Sequence, residues 1–552
     1  MAFNPGQAFQ ELSQRRKRPA MQVTQSQFWP APQGGINAIG GAGIAPVTDA
    51  LVLGNMIPSE FGVEVRKGYR EHCDAVPLGD GIKTMIPMNP ATADGTGTER
   101  LFAATSDGIY DVTIAGGVPI KVQNFAVKTD KAGWCSWTHF TTLAGQYVLL
   151  CDLANGYYVY TVATNAWAKI VQGTTPGTID KVDPALFDQV MVWKNRVWFV
   201  ERSTGRAWYI KAVGAITGDC ASFEFGNKFK YGGYLKSLWN WTLDGGEGID
   251  DYLVGISSAG DVVLYKGTDP QVATDFNMKG WWYIGKVTQG RRQCDDMGGE
   301  LLCLSTQGLT QMSKIIAGMP ATDEGVSLSY KINPRMNDVL IRSGLVYGWE
   351  IISNPSEQFI MVITPKETGK DYMQFVYQTQ THAWAQFYGL PIKTACMWKG
   401  VMYFGTPDNR ICSYAGFSDR VLLADSGATA KAIDWNVLSV FNVMGMAGRR
   451  KRVHFLRPQF IADVAATYFI QARYDFNITA IDVSPPYTDP VSGVWNNGQW
   501  DAALWGGGYV LTQLPTGGDG MGFHVGYTMR GASAAQTRFI GVDLLFDTGG
   551  ML

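Results

Sequence analysis

The sequence predicts an all-β fold: a β-propeller of about seven blades, with six or eight also within the spacing, and a β-rich sandwich or sheet domain after it. Three observations predict this. Seven hairpin turns recur along the middle of the chain, six at Gly108, Gly156, Gly205, Gly260, Gly308 and Gly369 and the seventh at Asp408-Asn409. Their intervals run from about 40 to about 61 residues, the period of propellers and arrays. Second, Val159-Tyr160-Thr161-Val162-Ala163-Thr164-Asn165-Ala166-Trp167-Ala168-Lys169-Ile170 aligns with Val376 to Phe387, with Val, Tyr, Thr, Ala, Trp and Ala identical. Met278 to Ile284 is a looser third copy. Third, 65 Gly and 12% aromatic residues stand against only 17% charged, a composition of many short strands rather than long helices.

The elements follow in order. Residues 1–45 carry a short amphipathic stretch, the basic run Arg15-Arg16-Lys17-Arg18, Gln/Ser-rich sequence, then Phe28-Trp29-Pro30 and a Gly-rich run. This composition predicts an extended arm that orders against a neighbour, with Phe28 and Trp29 as its anchors. Residues 46–78 hold the apolar run Ala50-Leu51-Val52-Leu53 and the alternating Gly62-Val63-Glu64-Val65-Arg66, and read as lead-in strands. The propeller spans 79–420. Each turn there follows a short apolar run and precedes another strand, as Tyr147-Val148-Leu149-Leu150 leads to Asn155-Gly156 and Tyr157 to Tyr160. Asp-Gly and Asn-Gly suit tight hairpins because both residues accept positive φ. The repeated Trp is expected to pack between adjacent blades, as in Kelch-like propellers, because one blade cannot bury both faces alone. The longest interval leaves room for an insertion around 325–343, which lacks a strand pattern. Residues 421–435 are small and polar and mark a boundary. The C-terminal domain, 421–552, has strands near 453–458, 468–474, 522–529 and 539–546, and an insertion at 477–515 that carries Trp495, Trp500 and Trp505.

Chemistry is sparse. The chain has no phosphate-binding P-loop, no G-x-S-x-G, no H-E-x-x-H and no dinucleotide fingerprint. Ser106-Asp107-Gly108 lacks the Trp of a sialidase-type Asp box. The five histidines are scattered without ligand spacing, so no catalytic residue, metal site or cofactor is expected. Asp244-Gly245-Gly246-Glu247-Gly248-Ile249-Asp250-Asp251 offers oxygen ligands but not the ordered alternation of a calcium loop, and reads as a plain inter-strand loop. The eight cysteines have no C-x-x-C pair and read as buried thiols in a reducing compartment. No signal peptide and no transmembrane helix are expected. A net charge of −2 excludes electrostatic nucleic-acid binding by the chain as a whole. The two basic clusters, Arg15 to Arg18 and Arg449-Arg450-Lys451-Arg452, are candidates for subunit or DNA contact.

The ends of the chain carry a resemblance. Gly34-Gly35-Ile36-Asn37, Asp49-Ala50-Leu51-Val52-Leu53-Gly54-Asn55-Met56-Ile57-Pro58, Val65-Arg66-Lys67-Gly68-Tyr69, and the terminal Phe539-Ile540-Gly541-Val542-Asp543-Leu544-Leu545-Phe546-Asp547-Thr548-Gly549-Gly550 resemble the tail nozzle (tail tube, or hub) proteins of short-tailed bacteriophages, the podoviruses. The resemblance implies a propeller plus a tube-forming β-domain in a hexameric ring. That ring would sit below the portal adaptor protein and contact tail fibre or needle proteins. It would retain the genome and conduct double-stranded DNA through its lumen without sequence specificity. It also implies a virion protein, assembled in the host cytoplasm, with no catalytic residues. On this reading the Trp495, Trp500 and Trp505 loop is the candidate gate. Two other readings stand beside it: another virion role, in head completion or as a minor capsid protein, and a propeller that binds or hydrolyses polysaccharide. The last would need two carboxylates about 5–9 Å apart in one pocket.

Overall fold

The computed structural model describes residues 24–89, 99–244, 249–272, 274–319, 325–423, 430–483, 485 and 510–551. Its strands build a β-propeller and a β-platform. Six small sheets stand as separate blades. Blade I holds strands Thr84–Met88, Arg100–Ala104, Gly108–Asp111 and Ile120–Asn124, and blade II spans Cys135 to Lys169. Blade III runs from Phe187 to Glu224, blade IV from Leu235 to Tyr283, and the three-stranded blade V from Cys294 to Gln311. Blade VII holds Thr394–Trp398, Val401–Gly405 and Ile411–Tyr414. The remaining sector, blade VI (Glu350–Asn354, Phe359–Ile363, Met373–Gln378, Ala383–Tyr388), is the end of a ten-stranded sheet that continues into the platform.

Every turn read from the sequence joins the second and third strands of its blade. The physical reasons for glycine differ. Gly260 has φ +102°, and a Cβ there would lie 2.0 Å from the Gly285 carbonyl oxygen. Gly108 has ordinary backbone geometry, but a Cβ would lie 2.2 Å from the Gln123 oxygen on the outer strand. The repeated segment is the third and fourth strands of blades II and VI. Asn165 and His382 occupy equivalent turn positions, at φ 51° and 54°. Each receives or shares a hydrogen bond with the preceding tyrosine, Tyr160 Oη donating to Asn165 Oδ1 at 2.7 Å and Tyr377 Oη lying 2.9 Å from His382 Nδ1. Trp167 is buried edge-on against Phe102 of blade I, ring centroids 5.4 Å apart. Trp384 is buried, and its indole donates to the carbonyl of Leu328, whose N–H in turn bonds the Leu309 carbonyl of blade V. Both sit between blades, as the repeat predicts.

The ring closes through the N-terminal side of the chain. Tyr69–Cys73, in the lead-in region, pairs antiparallel with Ile411–Tyr414 as the fourth strand of blade VII. Closure by a strand from the far end of the sequence fixes the ring against opening at one seam. The irregular interval resolves into a helix, Asn333–Ser343, with Pro334 at its start and Met336, Val339 and Leu340 buried at helical spacing.

The platform is a sandwich. One sheet continues blade VI with Asp49–Gly54, Lys431–Ser439, Val525–Ser533 and Thr467–Tyr474. The other is built on two long strands, Arg449–Ala462 and Thr537–Met551, flanked by Gln25–Pro30, Met56–Ser59, Gly62–Val65 and Val510–Thr512. Trp29, Trp435, Phe460, Tyr527, Phe539 and Phe546 fill the space between them. Arg66, 1% exposed, locks propeller to platform: its guanidinium grips both oxygens of Asp419 at 2.7 Å and also bonds Asn55 Oδ1 and the Tyr388 carbonyl.

All eight cysteines are free and buried. Burial pushes the Cys73 and Cys220 thiols up to about 12, so the reactive thiolate is suppressed. Native protein at pH 8 is expected to leave an aromatic disulfide reagent essentially unreacted for hours and to release all eight equivalents on unfolding. Rapid release from the native chain would contradict this packing.

Candidate functional site

Two surfaces carry features beyond those the fold requires. The first is the propeller's central channel, about 890 Å³, lined by the inner strands of all seven ring sectors. Its wall is formed by Trp137 and His139 of blade II, Gln189 of blade III, Trp239 and Asn240 of blade IV, Asp295 and Asp296 of blade V and Glu350 of blade VI. Inner strands supply them because each begins its blade at the axis and its side chains alternate between channel and inter-blade core. Asp295 Oδ2 accepts the Ser353 N–H at 3.0 Å. Enclosure by the wall, with Asp296 and Glu350 adding negative potential, raises its pKa to about 7. Burial raises Asp296 as well. Burial lowers the His139 pKa, and its Nε2 lies 2.9 Å from the Pro87 carbonyl.

Arg292, which leads into blade V, also lines the channel. Its guanidinium donates to the Lys83 carbonyl (3.0 Å), Thr84 Oγ1, the Cys135 carbonyl (2.9 Å), Glu350 Oε2 (2.9 Å) and Thr394 Oγ1 (3.0 Å). One side chain thereby ties blade V to blades I, II, VI and VII. Trp134 lies under the guanidinium, 5.6 Å from ring centroid to Cζ, and stacks on Tyr347. Sequence reading missed Arg292, Asp295 and Glu350, which stand in no recognisable motif.

The second surface is the outer face of the long-stranded platform sheet. Strand register aligns Phe28 with Asp543 and Asp543 with Arg457, and Ser26 with Leu545 and Leu545 with Phe455. One face therefore presents Phe28 (46% exposed), Phe455 (49% exposed) and Leu545 around an Arg457–Asp543 ion pair of 2.6 Å. Among the described residues, the five exposed phenylalanines, Phe28, Phe61, Phe455, Phe469 and Phe476, all belong to the platform.

The sequence candidates fall out as follows. Trp29 is 1% exposed and packs 6.2 Å from Tyr527 of this same chain. It anchors the arm internally rather than on a neighbour, because strand alternation turns it inward where Phe28 turns out. Lys451 is fully buried, donating to the Met446 and Phe523 carbonyls. This removes it from the set of contact residues, again by alternation, whereas Arg449, Arg450 and Arg452 are exposed. Arg15, Arg16, Lys17 and Arg18, and the gate candidates Trp495, Trp500 and Trp505, lie outside the described residues. Gly245 to Gly248 do so too. Asp251, which flanks them, is paired with Lys194 Nζ at 3.0 Å. Among the described residues no three His, Cys, Asp or Glu side chains are grouped to hold a metal ion, and no helix is long and apolar enough to cross a membrane.

No protein-family description matches the chain, and no curated protein matches it. Among solved structures it is similar to the computationally designed Ika8 protein, at 8% identity and a TM-score of 0.35, covering 66% of this chain and 96% of that one. It is also similar to the extracellular domain of the hybrid two-component system BT3049 from B. thetaiotaomicron, at 11% identity and a TM-score of 0.38, covering 75% of this chain and 54% of that one.

Proposed function

We propose that this chain is a structural protein of a bacteriophage tail, the ring subunit of the nozzle below the portal adaptor, with genome retention and conduction as its task. The observation that carries this reading is the outer platform face. A sheet edged by the N-terminal strand presents phenylalanines and a leucine around a salt-bridged pair, a patch with the apolar centre and charged elements of a protein interface. Arg449, Arg450 and Arg452 at the end of the same long strand would sit at its border. The propeller serves as a spacer and docking body outside the tube.

In this assembly Phe455→Lys places a charge in the centre of an apolar contact. It is expected to abolish ring formation, read as loss of the oligomer in light scattering after chromatography, with the thermal midpoint of the chain unchanged within a degree or two. Antibody-gold labelling of virions of the encoding phage tests the location. Gold at the distal tail tip supports the nozzle. Gold on the head moves the protein to a capsid role, and its absence from the particles overturns a virion role.

A second reading rests on one observation. The channel gathers Asp295, Asp296 and Glu350 beside Trp137 and Trp239, the residue types a polysaccharide hydrolase employs. Turnover of soluble polysaccharides that disappears in Asp295→Asn would favour it.

A further inference from the structure

Beside the channel, with Arg291 common to both linings, lies a second cavity of about 100 Å³. Its lining brings together Lys131, Arg202, Lys236 and Arg291, with Asp188 as the single carboxylate. Asp188 is already committed: Arg202 Nε donates to Oδ1 and Arg291 to Oδ2, each at 2.8 Å. Lys236, 4% exposed, donates to the neutral Gln289 Oε1 at 3.1 Å and lies beside the Tyr234 ring. An ammonium has three donors, so two are left without an acceptor among the described residues. A buried charge with a neutral partner is costly.

We propose that this cavity is a binding site for a small inorganic oxyanion, sulfate or phosphate, held by Lys236 with Arg202 and Arg291. Four cationic side chains against one committed carboxylate favour an oxyanion, whose several acceptor oxygens can take the donors that point into the cavity. Burial first, then the Arg291 charge, lower the Lys236 amine to about 7 against the opposing pull of Asp188, and Lys131 and Arg202 are the other cations lining the cavity. A bound dianion reverses that balance, so binding takes up a proton near neutral pH. The ion would join blades III and IV to the segment before blade V, as Arg292 joins the blades on its own side.

The test is calorimetric titration of sodium sulfate into the full chain at pH 7.5, with ionic strength fixed by sodium chloride, in two buffers of different ionisation heat. Sulfate does not titrate in this range, so any proton uptake belongs to the protein. Expected is saturable binding of one ion with proton uptake. In Lys236→Met both the uptake and at least about tenfold of the affinity are lost, as for one charge-assisted hydrogen bond. Lys236→Met replaces a buried amine by an apolar side chain of similar length and leaves no carboxylate stranded, since Asp188 keeps both arginines, so it should fold. Lys131→Ala, at an exposed position, provides the second arm with a Kd about threefold weaker. No saturable heat in the wild-type chain overturns the site. A folded Lys236→Met that binds as before overturns it as well, and an unchanged Kd in Lys131→Ala places the ion elsewhere.

Discussion

Arg292→Met is expected to destabilise the chain by about 3–5 kcal/mol, the cost of stranding one partner of an enclosed ion pair. Glu350 is 8% exposed and keeps its carboxylate in the channel wall when the guanidinium is gone. The Thr84 and Thr394 hydroxyls and the Lys83 and Cys135 carbonyls lose their shared donor at the same time. These groups belong to strands or loops of four different sectors, so the loss falls on the ring as a whole rather than on one hairpin. Denaturant unfolding of the variant should show a lower midpoint. If the propeller opens locally, the slope should change too, because the slope reports surface exposed on unfolding. Arg292→Met with Glu350→Gln removes both charges and should recover about half of the loss. The double-mutant cycle then separates the pair from the hydroxyl and carbonyl contacts. A single variant costing less than about 1 kcal/mol would mean that solvent in the channel replaces Arg292, and that the blades hold together by packing alone.

The contrast between Arg292 and the hairpins explains what was legible in the sequence. A hairpin is local. Asn155-Gly156 or Gly260 carries the backbone requirement of its turn within a few residues, and repetition at a near-constant period multiplies the signal. The Trp167 and Trp384 repeat was legible for the same reason. The helix Asn333–Ser343 was readable only as a break in the strand pattern, although Pro334 and the Met336, Val339, Leu340 spacing held its signature. Lys451 shows a different limit. Composition marks Arg449 to Arg452 as one basic cluster, yet a strand sends every second side chain inward, and Val453 shows which parity is buried. Trp29 and Phe28 divide in the same way. Arg292, Asp295 and Lys236 were out of reach because their significance comes from strands far apart in sequence meeting at one axis. The closing strand Tyr69–Cys73 needs the same long-range information. The stretch Tyr69-Arg70-Glu71-His72-Cys73 carries no mark of its partner, and only the ring leaves the blade VII edge free for it.

Asp295→Asn should stabilise the chain in neutral and alkaline solution, and by an amount that depends on pH in a defined sense. The native carboxyl titrates at about 7 against 3.8 for an ordinary aspartate, so the native state binds the proton more tightly than the unfolded chain. Below about pH 4 both states are protonated and the group contributes nothing. As pH rises from about 4 to about 7 the unfolded chain ionises freely while the native state must either hold its proton or bear an enclosed charge, and stability falls. Above about 7 the penalty is complete. Its size is at most about 4 kcal/mol at 1.36 kcal/mol per pKa unit, and water in the open channel screens it toward about 2. Asparagine keeps the shape and can still accept the Ser353 N–H, so the variant should lose this descending limb and little else. Its unfolding free energy should match the wild type at pH 4 and exceed it by about 2–4 kcal/mol at pH 8. A constant difference across that range would show that the carboxylate is solvated like a surface group. If the channel is purely structural, the penalty is a cost the fold carries without return, and Asp295→Asn should leave the proposed ring assembly intact. If the wild-type aspartate is needed by an activity of the channel, the same variant becomes more stable and less active together, the pattern of a site whose strain serves its chemistry.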